Sequence, residues 1–275
     1  MRRPAAKKET RSGKTVGVIL GAGKGTRMPP GREWKQFLPL EGKPIFMYSI
    51  EVFAASPSVD EIVVVVPPGM VGEMRTLLAG ATLRVPWRVM VGGRKRQDSA
   101  FKALRWLSGR GDVAYVAIHD AARPLVTVEI LEKAIGEAKE YGAAAVATKT
   151  TDTVLEIDGG FIHSIPNRSV LFNAQTPQAF SLDLIWKAHE LARRDGVSDA
   201  TDDVQLVLRA GGKVRLVESP PENMKITVER DLDFASLILK ERLWHGHLAH
   251  DSRAGSPWHL DCEPVRQRRT RRDGK

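Results

Sequence analysis

The 275-residue chain has one cysteine, Cys262. A single thiol closes no intrachain disulfide and makes no metal–thiolate cluster, which excludes a disulfide scaffold and suits a reducing compartment. Long apolar runs are also missing: none approaches the ~18 residues of a bilayer-spanning helix, so no membrane partner is expected. The N-terminus is charged but lacks the apolar stretch and cleavage pattern of a secretory signal, and it is short for a transit peptide. A cytoplasmic setting is therefore expected. A basic surplus is absent from the body. The formal charge of +9 comes from 42 basic and 33 acidic residues, but residues 1–14 hold six basic and one acidic, and residues 241–275 hold eight and five. Residues 15–240 are left with 28 against 27, no excess to neutralise a phosphate backbone, and no nucleic-acid partner is expected. The basic ends, 1–14 and 246–275, read as disordered tails around one domain at 15–245. His245, His247, His250 and His259 beside Cys262 lack a recognised zinc spacing.

What remains is ordinary globular material, 42% hydrophobic and 27% charged, long enough to bury a sizeable core. Apolar β-rich runs at 15–20, 61–66, 87–91 and 115–119 each end at Gly, Pro or Asp, the pattern of strands buried on both faces. Between them lie helical signals: Pro44 at a first turn, and Val128, Leu131, Ile135 and Ala138 at helix spacing. That alternation predicts an α/β fold with a mainly parallel sheet, whose ligands bind beyond the carboxyl ends of the strands. Near residue 150 the rhythm changes. Residues 153–157 and 161–165 flank Asp158-Gly159-Gly160, which predicts a hairpin too small to be stable without packing on something else. Helices are expected to resume at Ser181 and Thr201, followed by a strand at 213–217 and a closing helix at 231–244.

The first strand runs into Gly21-Ala22-Gly23-Lys24-Gly25-Thr26-Arg27-Met28. A Walker A loop would need Ser or Thr directly after Lys24, where Gly25 stands. A dinucleotide fingerprint would need a third glycine where Thr26 stands, and an acidic residue near the end of the second strand, where Pro67-Pro68 stand. A third reading has backbone N–H groups wrapping a nucleoside triphosphate, with Arg27 and Lys35 aimed at its phosphates. The plain alternative is a strand-to-helix turn that needs glycine for steric reasons alone.

The surrounding segments bear on that choice. The Gly21–Met28 stretch is followed by Lys35-Gln36-Phe37-Leu38-Pro39-Leu40, Gly42-Lys43-Pro44-Ile45, Gly92-Gly93 through Arg96 to Ser99, and His119-Asp120-Ala121-Ala122-Arg123-Pro124. Then come Asp152-Thr153, Ala174-Gln175-Thr176-Pro177-Gln178, Thr201-Asp202-Asp203 and Asn223-Met224-Lys225-Ile226-Thr227. In this order they resemble the 2-C-methyl-D-erythritol 4-phosphate cytidylyltransferases of isoprenoid precursor synthesis, from about Val16 to Leu239. The ribitol 5-phosphate cytidylyltransferases share much of the pattern and stay open as an alternative, as does a catalytically silent nucleotide- or polyanion-binding module.

The resemblance implies a three-layer, Rossmann-like nucleotidyltransferase fold with a mainly parallel twisted sheet and a β-arm at about 150–178. It implies transfer of a cytidylyl group from CTP to the acceptor phosphate with release of pyrophosphate. The nucleophile is already an anion, so positioning and charge neutralisation suffice. Arg27 and Lys35 are carried over as triphosphate and transition-state cations, and Lys225 to the place where donor and acceptor phosphates meet. Gly21, Ala22, Gly23 and Gly25 fall to CTP, and Gly92, Gly93 and Ser99 to its cytosine. Asp120 is expected to hold Mg²⁺ or a sugar hydroxyl, against the plain reading of a helix or turn cap. For His119 the plain reading, a structural core histidine, is preferred. Arg123, Thr153, Arg168 and Thr176 fall to the phosphorylated polyol, Arg by bidentate grip and Thr by donation. The resemblance also implies that Thr153, Arg168 and Thr176 reach a neighbouring subunit's site, hence a homodimer. Two departures stand out: Trp34 replaces the usual Pro before Lys35 in a slightly longer loop, and Arg94-Lys95 follow Gly92-Gly93 where an acidic residue is common.

Overall fold

The structure is a computed structural model that describes residues 12–23 and 34–244. Gly25, Arg27, residues 1–11 of the basic N-terminal end, the C-terminal end and the His245–Cys262 group lie outside the described residues, while Lys14, expected in the N-terminal tail, opens the first strand. In chain order the elements are β1 (Lys14–Leu20), β2 (Pro39–Leu40), β3 (Lys43–Pro44), α1 (Ile45–Ala55), β4 (Glu61–Val66), α2 (Val71–Gly80), β5 (Trp87–Val91), α3 (Arg96–Ser108) and β6 (Val113–Asp120). They continue with α4 (Val128–Tyr141), β7 (Ala143–Lys149), β8 (Glu156–Asp158), β9 (Phe161–Ser164), β10 (Phe172–Ser181), α5 (Leu182–Arg194), α6 (Asp203–Arg209), β11 (Arg215–Glu218) and α7 (Arg230–Trp244).

Seven strands form one sheet in the order β11-β7-β10-β6-β1-β4-β5. All neighbours are parallel except β10, which runs antiparallel to both β6 and β7. Because side chains alternate along a strand, β1 sends Val16, Val18 and Leu20 to one face and Ile19 to the other. Phe46, Ile50 and Phe53 of α1, Leu78 of α2 and Leu131 and Ile135 of α4 cover the second face. Leu104 and Leu107 of α3, Ile185 of α5 and Leu206 of α6 cover the first. Each such side chain, fully buried, contributes roughly 1.5–3 kcal/mol of transfer free energy. At Gly17 a Cβ would stand 2.5 Å from the Phe53 ring, so the absent side chain is what lets α1 lie against β1. A smaller core of Leu40, Ile45, Leu125, Ile226, Ala235 and Leu239 docks α7.

The three-layer expectation holds, with several corrections. Asp120 is the last residue of β6 rather than a residue beyond it. Pro44 precedes α1 and pairs with Pro39 across a two-residue turn, Glu41-Gly42, in which both residues have positive φ. The hairpin is shorter than its sequence pattern suggests: Thr153 lies ahead of β8, and only residues 156–158 and 161–164 pair. Strands β7 and β10 carry no clear pattern in the sequence and emerge only here. Among the described residues no helix is long and apolar enough to cross a membrane.

Candidate active site

Parallel strands bring their carboxyl ends to one rim, and Gly21, Ala22, Gly23, Lys35, Ser99, Asp120, Arg123, Thr176 and Lys225 of the predicted residues line clefts there. Gly21, Ala22 and Gly23 leave β1, Gly92 and Gly93 leave β5, and Asp120 ends β6. The Gly21 N–H bonds the Val65 carbonyl at 2.7 Å, and the Gly92 N–H bonds that of Val66 at 2.8 Å, so both turns hang from β4. The glycines serve different ends. A Cβ on Gly92 would lie 2.3 Å from the Ala22 Cβ, and one on Gly93 would lie 2.2 Å from the Asp98 Cβ. Those two allow the turns to interlock. Among the described residues a Cβ on Gly23 would meet nothing within 4 Å, and Gly23 is not among the residues of positive φ. Neither crowding by those residues nor backbone conformation requires glycine there.

Two clefts open on the rim. The first, about 200 Å³, is lined by residues 20–23, Lys35, Gln36 and Ser99; the second, about 240 Å³, by Arg123, Gln175, Thr176, Thr201 and Asp202. Arg96, Asp120 and Lys225 line both. Lys35 and Gln36, both buried, sit on a 3-10 turn (Lys35–Phe37), and the Gln36 amide donates to the Gly21 carbonyl, and at 3.4 Å to that of Gly23. Trp34, just before, adopts φ 65°, a left-handed conformation that proline's fixed φ forbids. The family's usual proline could not stand in this backbone.

Asp120 caps nothing. Its Oδ2 accepts from Lys225 Nζ at 2.5 Å and its Oδ1 from Arg96 Nε at 3.0 Å. Burial acts to raise its pKa, but Arg96 and Lys225 outweigh burial and hold the carboxyl far below the usual carboxylate range. Lys225 is placed by its neighbours: the Ile226 N–H bonds the Ala122 carbonyl at 2.8 Å, and the Asn223 amide donates to Gln175 Oε1 and the Thr176 carbonyl. No group of three His, Cys, Asp or Glu side chains able to hold a metal occurs among the described residues. A divalent ion here would have one protein carboxylate, Asp120, and would need phosphate oxygens to complete its shell, the usual habit of Mg²⁺.

His119 is fully buried and structural, as preferred from sequence. Burial lowers its pKa to about 4, so the ring is neutral at pH 7. Its Nε2 lies 3.2 Å from the Arg123 carbonyl, which can only accept, so Nε2 carries the proton and Nδ1 accepts from the Thr176 hydroxyl at 3.0 Å. The Thr176 oxygen also accepts from the Asp120 N–H at 3.1 Å. This corrects the expected role of Thr176: its one proton is committed to His119, and it can only accept from a substrate. Arg123 is corrected similarly. Its Nη1 and Nη2 donate to the Asn223 and Ala174 carbonyls at 2.8 and 3.2 Å, and Nε is buried without a hydrogen-bond partner. Arg123 ties three segments of the cleft wall together rather than presenting a free fork.

Ser99 accepts from the Gly93 N–H at 3.0 Å and donates to the Lys95 carbonyl at 3.1 Å, and Lys102 Nζ donates to the Gly92 carbonyl at 2.7 Å. Arg94 and Lys95 are exposed and line neither cleft. Thr153 and Arg168 are likewise exposed and line neither; Arg168 donates to the Thr151 carbonyl at 2.7 Å. Three residues quoted only as motif members, Gln36, Arg96 and Asn223, turn out to organise the site.

A glycine turn lining one cleft, and three charged groups where two clefts meet, define the class: an α/β nucleotidyltransferase with its site on the carboxyl rim of the sheet. The particular family follows from comparison, and the chain belongs to it. The model of the 2-C-methyl-D-erythritol 4-phosphate cytidylyltransferase family (IspD) matches residues 15–241. A relative of that name from Desulforamulus reducens is 42% identical over 233 residues, covering 84% of this chain and 97% of the relative. One from Geobacillus kaustophilus is 39% identical over 226 residues, covering 82% and 97%. The crystal structure of 4-diphosphocytidyl-2C-methyl-D-erythritol synthase from Anaerococcus prevotii superposes with a TM-score of 0.73 at 28% identity, covering 83% of this chain and 97% of that one.

Proposed function

We propose that this enzyme transfers the cytidylyl group of CTP to 2-C-methyl-D-erythritol 4-phosphate, giving 4-diphosphocytidyl-2-C-methyl-D-erythritol and pyrophosphate. The observation that carries the reading is the meeting of the two clefts at Asp120, Lys225 and Arg96. The triphosphate lies along Gly21–Gly23 beside Lys35, with Arg27 assigned to it by the family motif alone, and the acceptor phosphate enters from the Arg123 and Thr176 side. An acceptor oxygen forms the new bond to the α-phosphorus as the bond to the bridging oxygen of pyrophosphate breaks and its electron pair leaves with pyrophosphate. No proton need move. The cations hold two polyanions together and stabilise the added charge of the transition state. The Gly92-Gly93 turn, whose two N–H groups are taken by Val66 and Ser99, keeps carbonyl oxygens to accept from the exocyclic amine of cytosine. Mg²⁺, held by Asp120 and the phosphates, would add charge neutralisation.

Thr153 and Arg168 complete the acceptor site of a second copy of the chain. The arm that carries them exposes Leu155, Ile157, Phe161, Ile162, Ile165 and Val170, with Phe161 81% exposed, an apolar surface of the kind that marks an interface. A homodimer in the cytoplasm is the working form. The test is pyrophosphate release from CTP and Mg²⁺ with methylerythritol phosphate or ribitol 5-phosphate offered side by side. The reading expects release with the first acceptor at least about tenfold faster in kcat/KM; preference for ribitol 5-phosphate, or no release with either, overturns it.

A further inference from the structure

Resting on that transfer reading, we propose that Asp203 and His189 are positioning residues, a buried clamp that fixes the Arg96 guanidinium and through it the Asp120 carboxylate where donor and acceptor phosphates meet. Arg96 opens α3, Asp203 opens α6 and His189 stands on α5, so three helices of one layer each contribute one link. Arg96 Nη1 donates to Asp203 Oδ2 at 2.6 Å while its Nε donates to Asp120 Oδ1 at 3.0 Å. His189 Nε2 donates to the other Asp203 oxygen at 2.9 Å. A guanidinium is rigid and planar, so two carboxylates bonded at different nitrogens fix both its position and its plane; a lysine ammonium in its place could be fixed at only one point.

Neither clamp residue lines either substrate cleft. Asp203 is 1% exposed and His189 0%, so the line of polar contacts begins in the core and ends at the cleft: His189 to Asp203, Asp203 to Arg96, Arg96 to Asp120, Asp120 to Lys225. Stability alone does not account for it. A buried ion pair is seldom more stabilising than well-packed apolar side chains of similar size, and this face of the sheet is otherwise built from such side chains. An arginine free of Asp203 could turn toward the triphosphate or rotate against Asp120, and Asp120 would lose its fixed relation to Lys225. Outer-shell partners that orient metal ligands are worth roughly 10–100-fold, and the same scale is expected for a pair that orients Arg96 and Asp120.

The clamp is tested with Asp203→Asn, His189→Leu and His189→Gln in the full-length enzyme, with kcat expressed per folded molecule. Asp203→Asn is expected to lower kcat roughly 10–100-fold with KM for CTP within about threefold, because the affected groups act where bonds change. His189→Leu is expected to lower kcat about fivefold, and His189→Gln, whose amide can still donate to Asp203, to recover it to within about twofold. A second readout needs no turnover: the Arg96 Nε–H proton, identified by NMR from its loss in Arg96→Lys, exchanges with solvent faster in Asp203→Asn and His189→Leu than in wild type. Should wild type transfer nothing, the transfer reading fails and the exchange rates alone decide the clamp. Should Asp203→Asn not fold, the two His189 variants decide it by both readouts. Unchanged kcat in the folded Asp203→Asn or His189→Leu variants, His189→Gln as impaired as His189→Leu, or unchanged Arg96 Nε–H exchange overturns the proposal.

Discussion

The rim of the sheet and the arm are built on opposite principles. On the rim, charged and polar side chains find partners within the chain: Asp120 with Arg96 and Lys225, His119 with Thr176 and the Arg123 carbonyl, Gln36 with the glycine turn. On the arm, β8 and β9 pair only with each other, and the large apolar side chains face outward. The rim is organised before any ligand arrives, which is what electrostatic catalysis requires. The arm buries too little to hold a fixed place by itself. On the proposed reading, the difference is that between the donor side of the site, held by contacts within one chain, and an acceptor side that draws on a second copy.

The largest effect expected from breaking this contrast is on the rim. Lys35→Ala should lower kcat about 10³-fold, the scale of removing one preorganised transition-state donor, with thermal unfolding close to wild type. A loss below tenfold, measured as pyrophosphate release, would show that the Trp34 backbone has moved the catalytic cation elsewhere. The next effect concerns pH. His119 has its pKa lowered from 6.5 to about 4 by burial, so between those values the unfolded chain binds a proton that the folded chain does not. Stability therefore rises with pH across that window and is lost as pH falls from about 6.5 to 4, by about 3 kcal/mol at the lower end. Denaturant unfolding of wild type and His119→Gln should show a steep slope in the first and a flatter one in the second; parallel slopes would mean that His119 does not carry this dependence.

The sequence was most readable where local chemistry and fold agree. Strands β1, β4, β5 and β6 are runs rich in Val and Ile, and the motifs at the ends of β1, β5 and β6 lie on the rim that also receives Lys225 from the segment after β11. Strand β7 is rich in alanine, a poor strand signal, and β10 carries Pro177 inside ten strand residues, which argues against a strand by pattern alone. Arg96 looked like any motif arginine because Asp203, its partner, lies 107 residues along the chain. His189 follows Ile185 and precedes Ala192 at helical spacing, the pattern of a core histidine, and only the contact with Asp203 says otherwise. Thr176 and Arg123 both line the second cleft, but the partners that limit what they can donate come from β6, β10 and the Asn223 segment and have no sequence pattern.

The smallest effect, and the one that bears most directly on the contrast, belongs to the arm. Phe161→Asp with Ile162→Asp removes two exposed apolar side chains from β9, neither of which supports the core. Thermal unfolding of the body should stay within a few degrees of wild type, since surface substitutions away from packed features change stability by about 0.5 kcal/mol or less. Sedimentation should show a monomer, and transfer should fall about tenfold as the acceptor site loses its second contributor. A monomer with full activity would place the complete site in one chain. Mixing sharpens the same test: Lys35→Ala subunits damage the body half of a site and Arg168→Ala subunits damage the arm half. If each site joins one chain's body to the other's arm, every mixed dimer has one site with both halves intact. Random mixing then raises activity to about a quarter of wild type, above that of either protein alone. If the arm serves its own body, each chain in the mixture keeps its own defect and mixing restores nothing.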